Sequence, residues 1–503
     1  MRLRTGLAVD VKGAVNLVAT LTKYLSPATL VPAAVAVGYG ETPWPFLLAG
    51  AIAGGVAVAV ERLTRGDHRI GPREGFLVVS LTWLAAAALG ALPYLLSGDV
   101  QLDRPVDAYF EAMSGFTTTG ASVLTDVEGV SRSVILWRQF TQWLGGIGII
   151  VLALAVLPRL RVGGRQLLEH EMPGPEIESL STRIRDTARR VWILYVALTA
   201  ALVLLLVAFA LTGADERMTV FDAFAHALAT MPTGGFGTDA SSLAEFGAAT
   251  QWTIALFMIL AGANFALLYR AFVRREGKAF ARDEEFRLYV GLLALGSIVL
   301  AGELWLDDVA VGEEAIRHAV FQAASVMTTT GFATLDFAVF STLGVITLVG
   351  LMFVGGSAGS TSGSVKVVRH LLLGKILRRE LDQTLHPELV APVRLNRRPV
   401  DERTLRAITS FVLIYIGIFI VGTVLLAADA SRTGLELSVV EALSVSATTL
   451  GNVGPAFGFA GPFGSVEPFS DFSTIVMTGL MWLGRLEVIP IVVLLSRHYW
   501  RNA

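Results

Sequence analysis

The chain contains no cysteine, which excludes a disulfide framework, a thiolate metal site and a cysteine nucleophile. Its 7 histidines are scattered, with neither metal-ligand nor catalytic spacing. Charge is scarce as well: 16% of the 503 residues are Asp, Glu, Lys or Arg, against about a quarter in an average soluble domain. The net charge of −2, with basic residues spread through loops, offers nothing to nucleic acid. What fills the chain instead is apolar: 53% of residues are hydrophobic and the mean hydropathy is +0.62. The sequence is that of an all-α integral membrane protein.

Runs long enough to cross a bilayer, about 20 residues each, lie near 15–38, 45–61, 75–97, 133–157, 190–212, 248–269, 287–306, 338–371 (interrupted), 404–428 and 472–496. Ten spans are expected. The N-terminus carries Arg2, Arg4 and Lys12 without a small-residue cleavage site, so the first span reads as retained. With both termini inside, the loops at 62–73, 158–190, 270–287 and 366–406 and the termini hold about 32 of the 40 Lys plus Arg, a strong positive-inside bias. Acids fall on the other side: Asp103, Asp107, Asp126, Glu128, Asp215, Glu216, Asp239, Asp307, Asp308, Glu313, Glu314, Glu436 and Glu467. Either they line a mouth that concentrates cations, or they are what remains when the bases stay inside.

Four times a short amphipathic stretch runs into a Thr/Gly-rich knot flanked by long apolar segments. The knots are Thr117-Thr118-Thr119-Gly120, Thr233-Gly234-Gly235-Phe236, Thr328-Thr329-Thr330-Gly331-Phe332 and Gly451-Asn452-Val453-Gly454-Pro455. Asp107, Asp222 and Glu441 stand thirteen residues before Gly120, Gly235 and Gly454, whereas His318 holds that place in the third copy. An acid there favours a helix start through the macrodipole. Irregular backbone at membrane depth is tolerated where it lines a water-filled path or is buried in protein. One Thr-Thr-Gly is equally a turn or a helix contact; four copies can surround one axis with inward carbonyls, the construction of a cation filter.

This order of span, short helix, knot and span resembles the Trk/Ktr/HKT superfamily of K⁺ transporters, and the extra pair of spans ahead of the first repeat resembles its TrkH branch. The match covers nearly the whole chain. It implies two leading helices at 1–68 and four pseudo-symmetric pore repeats at 69–160, 161–275, 276–385 and 386–503. It places a K⁺ filter of backbone carbonyls at Thr118, Thr119 and Gly120; Thr233, Gly234 and Gly235; Thr329, Thr330 and Gly331; and Asn452, Val453 and Gly454. Glycine in all four copies implies K⁺ over Na⁺. Ala121 in place of the phenylalanine of Phe236 and Phe332, Pro232, and the divergent fourth copy make the ring unequal.

The eighth span is interrupted by Gly355-Gly356-Ser357-Ala358-Gly359-Ser360-Thr361-Ser362-Gly363-Ser364. Several interior glycines, each costing about 1 kcal/mol relative to alanine, oppose a continuous helix. The Gly-Lys-Ser/Thr ending of a phosphate loop is missing, which leaves a small-residue packing face or, by the resemblance, an intramembrane gating loop beneath the filter. Arg485, in Gly484-Arg485-Leu486-Glu487, needs a partner within a membrane. The resemblance makes it the contact of that loop; an internal pair with Glu487 or snorkelling to an interface are the alternatives. Arg138 is placed near the outer end of its span, within reach of headgroups, and Lys366 and Arg369 mark the return to the cytoplasm, a part in gating being the alternative. Gly145-Gly146-Ile147-Gly148 reads as close helix packing.

No nucleophile and base are spaced for an enzyme, and no cofactor is expected in this chain beyond K⁺ as cargo. The expected activity is potassium uptake across a prokaryotic cytoplasmic membrane, driven by the membrane potential. A Na⁺ or weakly selective cation pathway and a cation-coupled secondary transporter are the rivals. The stretches 158–190 and 366–406, with Pro173, Pro175, Pro387, Pro392 and Pro399, are solvated loops or a docking face. By resemblance the partners are membrane lipid, a cytosolic nucleotide-binding ring of TrkA or KtrA type, and a second copy in a homodimer.

Overall fold

The computed structural model describes residues 9–68, 71–155 and 177–500. The architecture is helical throughout; among the described residues the one strand pair is a hairpin of Arg394–Leu395 with Arg398–Pro399. Among the described residues, five helices are individually long and apolar enough to cross a membrane: Trp44–Leu63, Arg73–Ser97, Ala188–Thr212, Glu284–Leu306 and Glu402–Thr433. They leave large apolar side chains such as Leu204, Ile298 and Leu413 on the outside. In hydrocarbon that arrangement is stable, since lipid tails solvate leucine as well as a protein core does. The chain is a multi-pass membrane protein.

Several expected spans are not straight. The first is divided into Val11–Leu25 and Leu30–Tyr39 by a 3₁₀ turn at Ser26–Thr29, which contains Pro27. The sixth, Ala248–Ala261, turns by 105° into Phe265–Val273, and the tenth, Asp471–Arg485, turns by 114° into Ile489–Leu495. At the sixth, the Asn264 side chain accepts from the amides of Ala266 and Leu267 at 2.8 and 3.1 Å, starting a new helix. At the tenth, Glu487 and Val488 both adopt positive φ, 54° and 60°, where an α-helix cannot continue. Thus the third repeat is not alone in carrying a broken span.

Each repeat places a short helix ahead of its knot, between two apolar helices: Pro105–Phe116, Val220–Thr230, Gly312–Met327 and Val439–Gly451. The acids found by counting lie in the first turns of three of them. Asp222 and Glu441 close capping boxes with Thr219 and Ser438, each satisfying otherwise orphan amides. The third copy keeps the rule by another route: its helix begins at Gly312 and puts Glu313 and Glu314 in its first turn, leaving His318 inside, bonded to Thr334 Oγ1 at 2.8 Å.

Acids also cap the helix that leaves each knot. Glu41 accepts from the Arg132 and Ser133 amides at 2.8 and 2.9 Å, Asp215 from the Gly247 amide at 2.8 Å, Glu303 from the Ser341 amide, and Asp429 from Ser473 Oγ at 2.7 Å. In repeats three and four the acid lies on the preceding long helix, and in the second Asp215 lies three residues beyond the end of Ile177–Thr212. In the first it comes from the leading pair, which stitches those helices to the bundle.

Candidate functional site

The four knots share one backbone. Two residues before each glycine, Thr118, Thr233, Thr329 and Asn452 have φ of 54°, 56°, 57° and 55°. Gly120, Gly235, Gly331 and Gly454 follow at 84°, 81°, 87° and 109°. Each short helix ends with the same left-handed cap: the amides of Thr119, Gly234, Thr330 and Val453 donate to the carbonyls of Ser114, Ala229, Ser325 and Thr448 at 2.9, 2.8, 2.8 and 2.9 Å. This is the left-handed helix ending that glycine or asparagine usually supplies. Three threonines here accept the conformation because the surrounding structure holds it.

The glycines interlock. A Cβ placed on Gly120 would strike the Gly234 carbonyl, one on Gly235 the Thr330 carbonyl, one on Gly331 the Val453 carbonyl, and one on Gly454 the Thr119 carbonyl. The order runs one to two, two to three, three to four and four to one, so the knots close a ring. Above it lies a cavity of about 280 Å³ lined by all four glycines. A ring of neutral oxygens in a buried setting can replace the water of a small monovalent cation.

Side chains fasten the knots unequally. Thr117 and Thr119 share a hydroxyl bond of 2.8 Å, and Thr328 and Thr330 one of 2.7 Å. The second copy has no such pair; instead Gln142 Nε2 donates to the Gly234 carbonyl at 2.6 Å and its Oε1 accepts from the Phe236 amide at 3.3 Å. Asn452 Nδ2 crosses to Thr119 Oγ1 at 2.9 Å and also reaches the Met481 carbonyl at 3.0 Å. Gln142 gave no signal in the sequence beyond being polar within an apolar span.

Directly beneath, the small-residue segment 355–364 is buried almost throughout. Gly363 N donates to Thr329 Oγ1 at 2.7 Å, and the Thr233 and Thr361 hydroxyls stand 3.4 Å apart. Arg485 Nη1 donates to the Thr361 carbonyl at 2.9 Å and Nη2 to the Gly145 carbonyl at 3.2 Å. Glu487 pairs with Arg369 instead, so neither an Arg485–Glu487 pair nor snorkelling describes this arginine. Lys366 is buried with its Nζ on the Ser362 carbonyl, and Arg369 stacks 3.9 Å over Phe411. Both belong to the segment's surroundings rather than to a plain cytoplasmic return. Glu285, unassigned from sequence, accepts from the Ala358 amide at 2.6 Å and the Val368 amide at 3.3 Å, tying the segment to the helix that follows it.

Arg138 does not reach headgroups either: it is buried at 2% exposure against Glu111. Gly145 and Gly146 do serve close packing, against the Phe116 carbonyl and against Pro232 with the Tyr195 hydroxyl. The part of the expected docking face at 158–176 lies outside the described residues.

The outer acids are largely occupied. Asp215 is a helix cap, Asp107 pairs with Arg104 at 3.4 Å, and Glu313 with Arg317 at 3.1 Å. Asp239 is the acid among the cavity-lining residues and pairs with Arg217. Burial alone would raise its carboxyl, but hydrogen bonds from Ser241 and Arg217 hold it down at about 2. A depressed carboxyl stabilises the fold above its unfolded value of about 3.9 and loses that contribution as pH falls towards the folded value. Asp239→Asn is therefore expected to lower the melting temperature at pH 7, with the gap from the parent closing below about pH 4, as thermal melts in detergent would record.

A family model described as TrkH, cation transport protein, matches residues 49–501. The chain is 38% identical over 434 residues to the Trk system potassium uptake protein TrkH of Escherichia coli K12, covering 86% of each, and 33% identical over 433 residues to TrkG of that strain, again 86% of each. It is similar to the crystal structure of the potassium transporter TrkH from Vibrio parahaemolyticus, with a TM-score of 0.86 and 32% identity over 98% of this chain and 100% of that one. With the ring of four glycines, the segment beneath it and these matches taken together, the chain belongs to the TrkH family of cation transport proteins.

Proposed function

We propose that this chain takes up potassium across the cytoplasmic membrane through the ring of knots, with the segment 355–364 as a gate latched by Arg485. The observation that carries the reading is the shared backbone of the four knots, closed glycine to carbonyl around one axis. K⁺ sheds water at the ring and passes on when the segment withdraws from Thr329 and Thr233. An inside-negative potential contributes about 2.3 kcal/mol per elementary charge per 100 mV, which drives accumulation without chemistry in this subunit.

Potassium as the cargo is supported by glycine in every knot and by relatives named as potassium uptake proteins. The same proposal includes cytoplasmic termini, a homodimer and a cytosolic nucleotide-binding ring. The relatives' names place them in a Trk system, and the basic loops face that side under the positive-inside rule. Expressed in a bacterial strain stripped of its own potassium uptake, together with a regulatory ring of that type, the chain is expected to restore growth at limiting K⁺. Growth that stays dependent on high K⁺ despite normal membrane levels would contradict the reading.

A further inference from the structure

We propose that Glu111 and Arg138 form a charged strut behind the first knot that sets the spacing of knots one and two, and with it ion discrimination on that side of the ring. The inference rests on the reading of the knots as a filter. Glu111 is fully buried and Arg138 is 2% exposed, with Arg138 Nε donating to Glu111 Oε1 at 2.7 Å. A pair so deep is costly to desolvate unless its remaining atoms are bonded. Here all of them but Arg138 Nη1 are bonded to the Ser122 hydroxyl and the Val123 amide, on the stretch that leaves the first knot. Glu111 Oε2 accepts from the Val123 amide at 3.1 Å, and Oε1 from Ser122 Oγ at 2.9 Å, while Arg138 Nη2 donates to that same hydroxyl at 3.0 Å. Ser122 and Val123 follow Gly120 by two and three residues.

The other end of the strut lies on the second knot. The Arg138 guanidinium sits 4.1 Å from the centroid of Phe236, the residue after Gly235. One helical turn further on, Gln142 bridges the Gly234 carbonyl and the Phe236 amide. One helix, Arg132–Ala155, therefore grips both sides of the neighbouring glycine.

The other repeats show what is particular here. Nine residues before each knot glycine stand Glu111, His226, Gln322 and Val445. Gln322 donates to the Leu335 carbonyl at 2.8 Å, and in the fourth copy Ser444, next to Val445 and ten residues before Gly454, accepts from the Phe457 amide at 3.1 Å. These are neutral struts within one repeat. Only in the first copy is the strut an ion pair that crosses to the next.

Arg138 also lines the cavity above the ring, and its Nη1 is buried without a hydrogen-bond partner. A bare arginine there would repel an arriving cation; Glu111 cancels its charge. Glu111→Gln therefore leaves a positive charge beside the entrance, whereas Glu111→Gln with Arg138→Gln restores neutrality but removes the strut.

The experiment measures K⁺ influx and the K⁺/Na⁺ permeability ratio in liposomes for both variants, with melting temperature recorded alongside. Glu111→Gln is expected to cut K⁺ influx about tenfold, and the double variant to recover most of that influx while its K⁺/Na⁺ ratio stays about tenfold below the parent, a change equal to about 1.4 kcal/mol. Phe236→Leu keeps an apolar contact and removes the aromatic face, and is expected to lower the ratio on its own, so the proposal stands testable if the charge variants do not fold. Folded variants with an unchanged ratio would overturn it, as would influx that falls only in proportion to stability. Gly120→Ser, run beside them, separates the failures: an altered ratio there with none at the strut rejects the strut alone, and no alteration at Gly120 rejects the filter reading.

Discussion

Serine in place of Gly120 is expected to collapse the K⁺/Na⁺ permeability ratio by at least about tenfold, the effect of about 1.4 kcal/mol in relative site affinity. The reason is geometric. Gly120 has φ of 84°, and a side chain there would run into the carbonyl of Gly234. Left-handed backbone costs an ordinary residue about 1–2 kcal/mol before any collision. The struck carbonyl is itself held by Gln142, so the second knot must shift or the first must open. Either movement changes the spacing of oxygens that distinguishes K⁺ from Na⁺. Because the glycines interlock in sequence, Gly235→Ser is expected to act in the same direction through the Thr330 carbonyl. A ratio that stays at the parent value in well-folded protein would remove Gly120 from the filter. The rival Na⁺ pathway predicts that outcome.

The second large effect is expected on removing the segment beneath the ring. Deletion of 356–363 takes away the Gly363 amide on Thr329, the hydroxyl approach of Thr361 to Thr233 and the carbonyl that Arg485 holds. K⁺ flux should rise about tenfold or more, an opening free energy of about 1.4 kcal/mol or greater. A milder version is Arg485→Gln, which shortens the latch and removes its charge. Flux is expected to rise there too, by less than in the deletion, since Glu285 still grips the Ala358 and Val368 amides. Flux that is unchanged or lower in the deletion, measured on protein that melts like the parent, would remove the gate from the account.

Much of the architecture was legible because it repeats. Four Thr/Gly knots at fixed distance from an acid identify short helices with capped starts, and glycine at the same offset predicts a shared backbone. The structure has that backbone to within a few degrees at the residue two before each glycine. Where the offset failed, at His318, the helix had simply begun a turn earlier at Gly312, and Glu313 and Glu314 were already in view.

The bends were harder to read. Gly262-Ala263-Asn264 and Leu486-Glu487-Val488 sit inside runs that stay apolar on average, and mean hydropathy measures burial in lipid, not direction. Asn264 was the available sign, since an asparagine within an apolar span can cap a new helix. Val488 offered none: a β-branched residue at φ of 60° is held there by its surroundings. Arg138 was assigned to headgroups and Glu285 was missed for a related reason. Their partners, Glu111, Ser122, Ala358 and Val368, are distant in the chain or are backbone amides, and neither leaves a local pattern.

The most direct test of the central claim is flux into liposomes that hold this chain alone, with K⁺, Na⁺ and choline compared under an imposed inside-negative potential. The ring of four glycines predicts K⁺ entry well above Na⁺, no choline entry, and loss of the K⁺ preference with Gly120→Ser. Equal entry of K⁺ and Na⁺ in the parent protein, or a preference that survives that substitution, would contradict it.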